Sequence, residues 1–331
     1  MKKRLLVLFL IMLVVTLGVL QITSNAAQTK QVNIAMTYIP NVQFAPWYVA
    51  AEKGFFKAEG LDVKFDYRMD IDALPLVANG QMDFAIAGGD QVIVARSKGI
   101  PVVYLTALYA KFPPSIISLA KSGIQKPQDL KGKKIGLPLY GTNLLAVKAI
   151  LYQSGLSESD VQLIDVGYTQ VPSLTSGKVD AVVGFANNEP LILKAAGQSI
   201  NQINAWEYFP LVGHGLISGE KQIADSPKMV KSMVKATVKG IDYALAHPDE
   251  TFSICLKHIP DLSKEQYELQ KKILLTSMEL WKNQYTEKHG LGQNDPKAWE
   301  ESQQFMQKYG LIDKTTPVKR MVNTGFIPKV K

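Results

Sequence analysis

The sequence holds a single cysteine, Cys255, in 331 residues. An internal disulfide needs two thiols and a cysteine-ligated metal cluster needs several, so neither can form. Histidine is almost as scarce. His214, His247, His258 and His289 are dispersed, without zinc-ligand spacing and without the makings of a Ser-His-Asp array. Long apolar runs are missing too, except for Leu5–Leu20, which follows Lys2, Lys3 and Arg4 and precedes Ser24-Asn25-Ala26. At about 1.5 Å per residue the run spans roughly 24 Å, short of the ~30 Å hydrocarbon core. The order basic, apolar, small predicts an export signal at 1–26, cut after Ala26, with an uncleaved anchor as the alternative. No cysteine follows the run, which argues against a lipoprotein, and no later run is long enough to span a membrane.

Acidic residues are outnumbered, 29 against 37 Lys and Arg, for a net charge of +8. Removing 1–26 takes away three positive charges and no negative one, which lowers +8 to +5. The remaining basic excess is scattered, the pattern of a solvated surface and not of a nucleic-acid partner.

What the sequence does contain is a weak internal repeat. VNIAMTYIPNVQFAPWYVAAEKGFF reads as strand, polar turn and helix, ending at Gly54, and KIGLPLYGTNLLAVKAILYQSGL reads the same way, ending at Gly155. A second strand follows in each copy, LDVKFDY and VQLIDVGY. Next come a segment with Pro75 or Pro172, then Gly80-Gln81-Met82-Asp83 or Gly177-Lys178-Val179-Asp180, then a buried strand, FAIAG or AVVGFA. Short β-rich runs alternating with helical periods predict mostly parallel sheets flanked by helices, an α/β architecture, and two copies predict two lobes. After about residue 215 the pattern turns helical. Pro227 follows Ser226 at a helix start, Ser263 and Gln266 form a capping box, and Asp295-Pro296 opens a third helix. These helices are expected to complete the first lobe, their Met and aromatic residues serving as core.

In open α/β sheets ligands sit beyond the carboxyl ends of strands, at helix N-termini. The repeat therefore points to four loops. The first lobe contributes Tyr38, Asn41, Gln43 and Phe44, and then Gly89, Asp90 and Gln91. The second contributes Tyr140, Gly141, Thr142 and Asn143, and then Asn187, Asn188 and Glu189. Asp90 and Glu189 occupy equivalent positions, so facing lobes would set both carboxylates on one cleft. The loops hold aromatics, amides, hydroxyls and acids but no Lys or Arg. That set suits a flat, neutral or weakly basic heteroaromatic, whose faces stack on rings and whose N–H groups meet a carboxylate. A sulfonate, nitrate or phosphate would more naturally recruit Arg, although helix N-termini alone can hold anions.

YIPNVQFAPWYVAAEKGFFKAEGLDV, LVANGQMDFAIAGGDQVIVARSKGIPVV, KPQDLKGKKIGLP and SGKVDAVVGFANNEP together resemble one family of type II periplasmic binding proteins. It includes alkanesulfonate-, nitrate- and taurine-binding proteins and the binders and synthases of the thiamine pyrimidine precursor. The resemblance implies two lobes joined by crossover strands near Ser115–Leu119 and Gly213–Ser218, with 27–114 plus 216–331 as lobe one and 115–215 as lobe two. It implies an exported monomer, periplasmic or on the outer face of the cytoplasmic membrane. Such a protein delivers a solute to an ABC permease and its ATPase, without catalysis, cofactor or metal. Pro40-Asn41 before an aromatic helix start is similar to the pyrimidine branch, in which Glu189 would match the ring-binding acid. The branch's usual Asp-Trp is replaced by Thr37-Tyr38-Ile39, and its polar turn by Val42-Gln43-Phe44. IPNVQFAPWYVA with GDQV and NNEP also resembles the riboflavin-binding members, so both vitamins stay open, beside an anion of the sulfonate type. A pyrimidine synthase and a ligand-sensing module are the other classes. The synthases bind iron through a Cys-rich segment that this chain lacks, and no signalling domain follows.

Mass analysis of the native protein should find Ala27 as the first residue; intact Met1 in a soluble cytoplasmic fraction would refute export.

Overall fold

A computed structural model describes residues 29–69, 72–209 and 211–329. The leader, the expected cleavage point and Ala27 lie outside the described residues. The chain builds β1 (Lys30–Ala35), α1 (Ala45–Glu52), α2 (Phe55–Ala58), β2 (Leu61–Asp66), α3 (Ala73–Ala78), β3 (Phe84–Gly88), α4 (Gly89–Ser97) and β4 (Val102–Ala107). It then crosses to a second sheet and lays down β5 (Pro114–Leu119), β6 (Lys134–Leu137), α5 (Gly141–Gln153), β7 (Gln162–Asp165), α6 (Gln170–Thr175), β8 (Ala181–Phe185), α7 (Glu189–Ala195) and β9 (Ile200–Asn204). The return crossing ends in β10 (His214–Gly219), back in the first sheet.

The sheet orders are β2-β1-β3-β10-β4 and β7-β6-β8-β5-β9. In each, three strands of the repeat run parallel, and the fourth position is held by an antiparallel strand, β10 or β5. The repeated Gly-x-x-Asp has a structural cause. Gly80 and Gly177 take left-handed φ of 80° and 74°, which only glycine adopts freely. Asp83 and Asp180 then do the same work: each accepts an N–H from the neighbouring parallel strand at 2.8 Å, from Asn33 on β1 and Lys134 on β6 respectively.

The helical tail comprises α8 (Glu220–Asp225), α9 (Pro227–Ala246), α10 (Pro248–Cys255), α11 (Tyr267–Leu280), α12 (Gln284–His289), α13 (Pro296–Lys308) and α14 (Val318–Met321). The Ser263 capping box forms, its N–H donating to Gln266 Oε1 at 3.1 Å, and the Asp295 side chain accepts from Lys297 N–H. Trp281 and Trp299 are fully buried, each worth about 1.5–3 kcal/mol or more in removed apolar surface.

The tail packs on the first sheet's core and reaches beyond it. Its aromatics reach across: Phe305 stacks on Phe209 of the return crossing at 3.8 Å, and Tyr309 on Tyr152 of α5 at 5.0 Å. One apolar cluster accordingly runs from Ala87, Tyr104 and Ile217 to Ile116, Ile135 and Val183 without a break. Helical periodicity identified the buried stripes, but it carries no information on which sheet they cover.

Helix α9 crosses α1 so closely that a Cβ at Gly240 would lie 2.2 Å from the Pro46 carbonyl oxygen. Helix propensity favours Ala over Gly by about 1 kcal/mol, yet a backbone oxygen cannot swing aside. Gly240→Ala should therefore lower stability by about 1–3 kcal/mol; a denaturation midpoint equal to or above the parent's would show that the helices separate freely.

Candidate functional site

The carboxyl ends of the parallel strands of both sheets open on one cavity of about 550 Å³. Leaving β1, Thr37 has a φ of 60°, a strained value for a β-branched residue, and its hydroxyl donates to Ile86 O of β3 at 2.9 Å. This turn delivers Tyr38 to the wall. Asn41 then caps the Val42–Phe44 turn, accepting from Gln43 N–H at 3.0 Å, and Gln43 and Phe44 face the cavity. At the end of β3 a Cβ on Gly88 would sit 2.0 Å from Asp90 Oδ1, so only glycine fits. The Gly88 N–H donates to Gln91 Oε1 at 3.0 Å.

From the second sheet, Tyr140, Gly141, Thr142 and Asn143 come off β6, and Tyr168 and Gln170 follow β7. Thr142 Oγ1 donates across the cleft to Asp90 Oδ1 at 3.2 Å. The Tyr38 and Tyr168 rings meet at 5.4 Å, and Tyr168 hydrogen-bonds Tyr140 through its hydroxyl at 3.2 Å, so tyrosines of both sheets close over one side. Glu189 folds back over β8. Its Oε2 accepts Phe185 N–H at 2.7 Å, its Oε1 accepts from Asn188 Nδ2 at 3.2 Å, and a Cβ on Gly184 would touch it at 2.6 Å.

Among the described residues the wall carries no Lys or Arg, and its acids are Asp72 and Glu189. Burial raises the Glu189 pKa, opposed by its own N–H, the Phe185 N–H and the Asn188 amide. Tyr38 is pushed up to about 12, first by burial and then by the charge of Glu189. His214 is lowered to about 4 by burial and stays neutral at ordinary pH. Among the described residues no grouping of His, Cys, Asp and Glu could hold a metal ion.

Ten of the fourteen expected residues line the cavity: Tyr38, Gln43, Phe44, Gln91, Tyr140, Gly141, Thr142, Asn143, Asn188 and Glu189. Asn41, Gly89, Asp90 and Asn187 do not. Asn41 is occupied as a cap. Gly89 is pressed against Val212, leaving no room for a Cβ, and Asn187 donates to Tyr109 Oη at 3.1 Å and Ser277 Oγ at 2.7 Å, tying β8 to the tail. Asp90 is set back behind Thr142, fully buried, so the two equivalent carboxylates do not both face the cleft.

Sequence reasoning missed Asp72, Tyr168 and Gln170, although the repeat held the signal, since each follows the second strand of its copy. Tyr109 and His214 lie at the crossings, which the repeat does not cover.

An NMT1/THI5-like family model matches residues 41–251 of the chain. The chain is 37% identical to the riboflavin-binding protein RibY of Chloroflexus aurantiacus, over 92% of this chain and 88% of that protein. It is 31% identical to a formylaminopyrimidine-binding protein of Halalkalibacterium halodurans, over 84% and 85%. In fold it is similar to the alkanesulfonate-binding protein SsuA of Xanthomonas axonopodis pv. citri solved with MOPS. The TM-score is 0.69, the identity 16%, and the match covers 90% of this chain and 99% of that one.

Asp90 supplies a pH test. Burial raises its pKa from 3.8 to about 7, against the Gln91 N–H, the Thr142 hydroxyl and its own N–H. The folded form holds a proton that the unfolded form has released, so this contribution is complete below about pH 4 and is lost as pH rises through about 7. Asp90→Asn keeps an acceptor for Thr142 and never ionises. It should flatten the decline in melting temperature between about pH 4 and pH 7 and raise stability from about pH 7 upward by on the order of a few kcal/mol. Parallel melting profiles of parent and variant would contradict this.

Proposed function

Because the chain belongs to the NMT1/THI5-like family, we propose that it is the extracytoplasmic solute receptor of an ABC importer, capturing riboflavin between its two lobes and releasing it to a permease. The observation that carries this reading is the cavity of about 550 Å³, walled by tyrosines and phenylalanines from both sheets, with one buried acid and no cation among the described residues. Such a volume is typical of sites for drug-sized ligands. A tricyclic ring with a polyol tail uses that space, whereas a single pyrimidine leaves much of it unfilled. Tyr38, Phe44, Tyr140 and Tyr168 offer ring faces and edges for stacking, and Glu189 accepts a ring N–H. The 37% identity to a riboflavin-binding protein supports the same ligand, and the 31% identity to a formylaminopyrimidine-binding protein makes that compound the natural competitor in a test. A sulfonate or nitrate would enter a wall holding two acids and no guanidinium, which disfavours it.

Catalysis has little support in the side chains. Cys255 is buried in the core and its thiol pKa is pushed up by that burial, the opposite of an activated nucleophile. His214, the one histidine on the wall, has its Nδ1 buried without a hydrogen-bond partner, so no carboxylate holds it there as a general base.

Riboflavin titrated into the protein should lose its fluorescence on binding. Glu189→Gln should weaken it by about one to two decades, the equivalent of roughly 1.5–3 kcal/mol for a charge-assisted hydrogen bond. The flavin mononucleotide should bind at least about tenfold more weakly, since its phosphate meets acids and no base. Calorimetry showing affinity for a formylated aminopyrimidine and none for riboflavin would overturn the ligand assignment and leave the receptor role standing.

A further inference from the structure

His214 opens β10 at the return crossing, and its ring sits edge-on between Phe185, at 5.3 Å and 62°, and Tyr109, at 6.3 Å and 83°. It lines the cavity, and its Nδ1 is buried without a hydrogen-bond partner. No acid pairs with it, and burial keeps the imidazole neutral. A neutral imidazole carries one N–H donor and one lone pair, so it can donate without bringing charge. The same Phe185 that packs on the imidazole holds Glu189 through its backbone N–H, which sets acid and imidazole on either side of one residue. From the first lobe, Gln43 also faces the cavity with a buried, unpartnered Nε2. Buried polar atoms are nearly always paired in the working state of a protein. Glu189 can thus accept from a ligand while His214 and Gln43 donate to it, and Asn143 Oδ1 is a further buried, unpartnered acceptor on the wall.

We infer that His214 is a specificity-determining residue that donates to a ring carbonyl of the ligand, and that with Glu189 and Gln43 it reads a cyclic imide, –C(=O)–NH–C(=O)–. Glu189 takes the imide N–H, while the His214 imidazole and the Gln43 amide donate to the two carbonyls. This rests on the flavin reading, because the dioxopyrimidine edge of an isoalloxazine is such an imide. An aminopyrimidine presents an amino donor beside a ring-nitrogen acceptor and has no second carbonyl, so it leaves one donor unpaired. A site built on hydrogen bonds rejects analogues that cannot complete them far more strongly than an apolar pocket does.

The test uses the full mature protein, riboflavin and two variants. His214→Phe keeps a flat ring between Tyr109 and Phe185 but removes both nitrogens, and His214→Gln keeps an N–H donor. His214→Phe should weaken riboflavin about ten- to a hundredfold, and His214→Gln should recover most of that loss. In parent protein labelled with ¹⁵N-histidine, the His214 ring-nitrogen signals should shift when riboflavin is added. That readout does not depend on a variant folding. Riboflavin bound tightly by parent and His214→Phe alike, with unmoved imidazole signals, would overturn the imide assignment and leave the flavin reading intact. A parent with no affinity for riboflavin would overturn both.

Discussion

Two strands hold the arrangement together: β5 and β10, each wedged antiparallel between parallel strands of its sheet. A chain that crosses once between sheets could leave them joined by a tether. Crossing twice, and anchoring each arrival in the fourth position of a five-stranded sheet, fixes both sheets against one gap. Three parallel strands from each side then end at that gap. Their loops and the helix starts beyond them have backbone N–H groups and side chains that neither sheet can satisfy. A ligand site between the lobes follows from that geometry before any particular side chain is considered.

Within it, two carboxylates that the repeat makes equivalent have different roles. Both are buried and both have a raised pKa for the same reason, the cost of charge away from water. Glu189 remains on the wall, held by Phe185 N–H and Asn188, so its orientation is set before a ligand arrives. Asp90 lies one layer behind and meets the opposite lobe only through the Thr142 hydroxyl, with its Oδ2 unpartnered. On the proposed reading the first is a recognition group, while the second is a contact between lobes. Both carboxylates turn back against a strand-end glycine, Asp90 over Gly88 and Glu189 over Gly184, in space that a Cβ would occupy.

Much of this was legible in the sequence because the repeat is physical. Asp83 and Asp180 recur since each β1- or β6-type strand leaves an N–H for them to bind, and the glycines before them recur since the turn needs left-handed φ. From two copies the loops could be paired and ten residues of the wall named. The rest depended on contacts that no local pattern encodes. The aromatic bridge from α13 to Phe209 and Tyr152 joins residues about a hundred or more positions apart. His214 looked inert as one of four scattered histidines, and only the return crossing brings it to the cavity beside Phe185.

Thr37 shows where the fold departs from local preference and what holds the departure in place. A threonine at φ 60° carries a strain of about 1–3 kcal/mol, and nothing in the strand–turn–helix unit requires it. The corresponding turn of the second lobe puts its positive φ at Gly141, which is free of that cost. The first lobe keeps a side chain there because the Thr37 hydroxyl closes on Ile86 O, fastening the end of β1 to β3 and aiming Tyr38 at Tyr168. Glycine would relieve the strain and lose the fastening. Tyr38, aimed in this way, both packs partly buried against the first core and lines the cavity, so the strain held at Thr37 serves the wall as well as the fold.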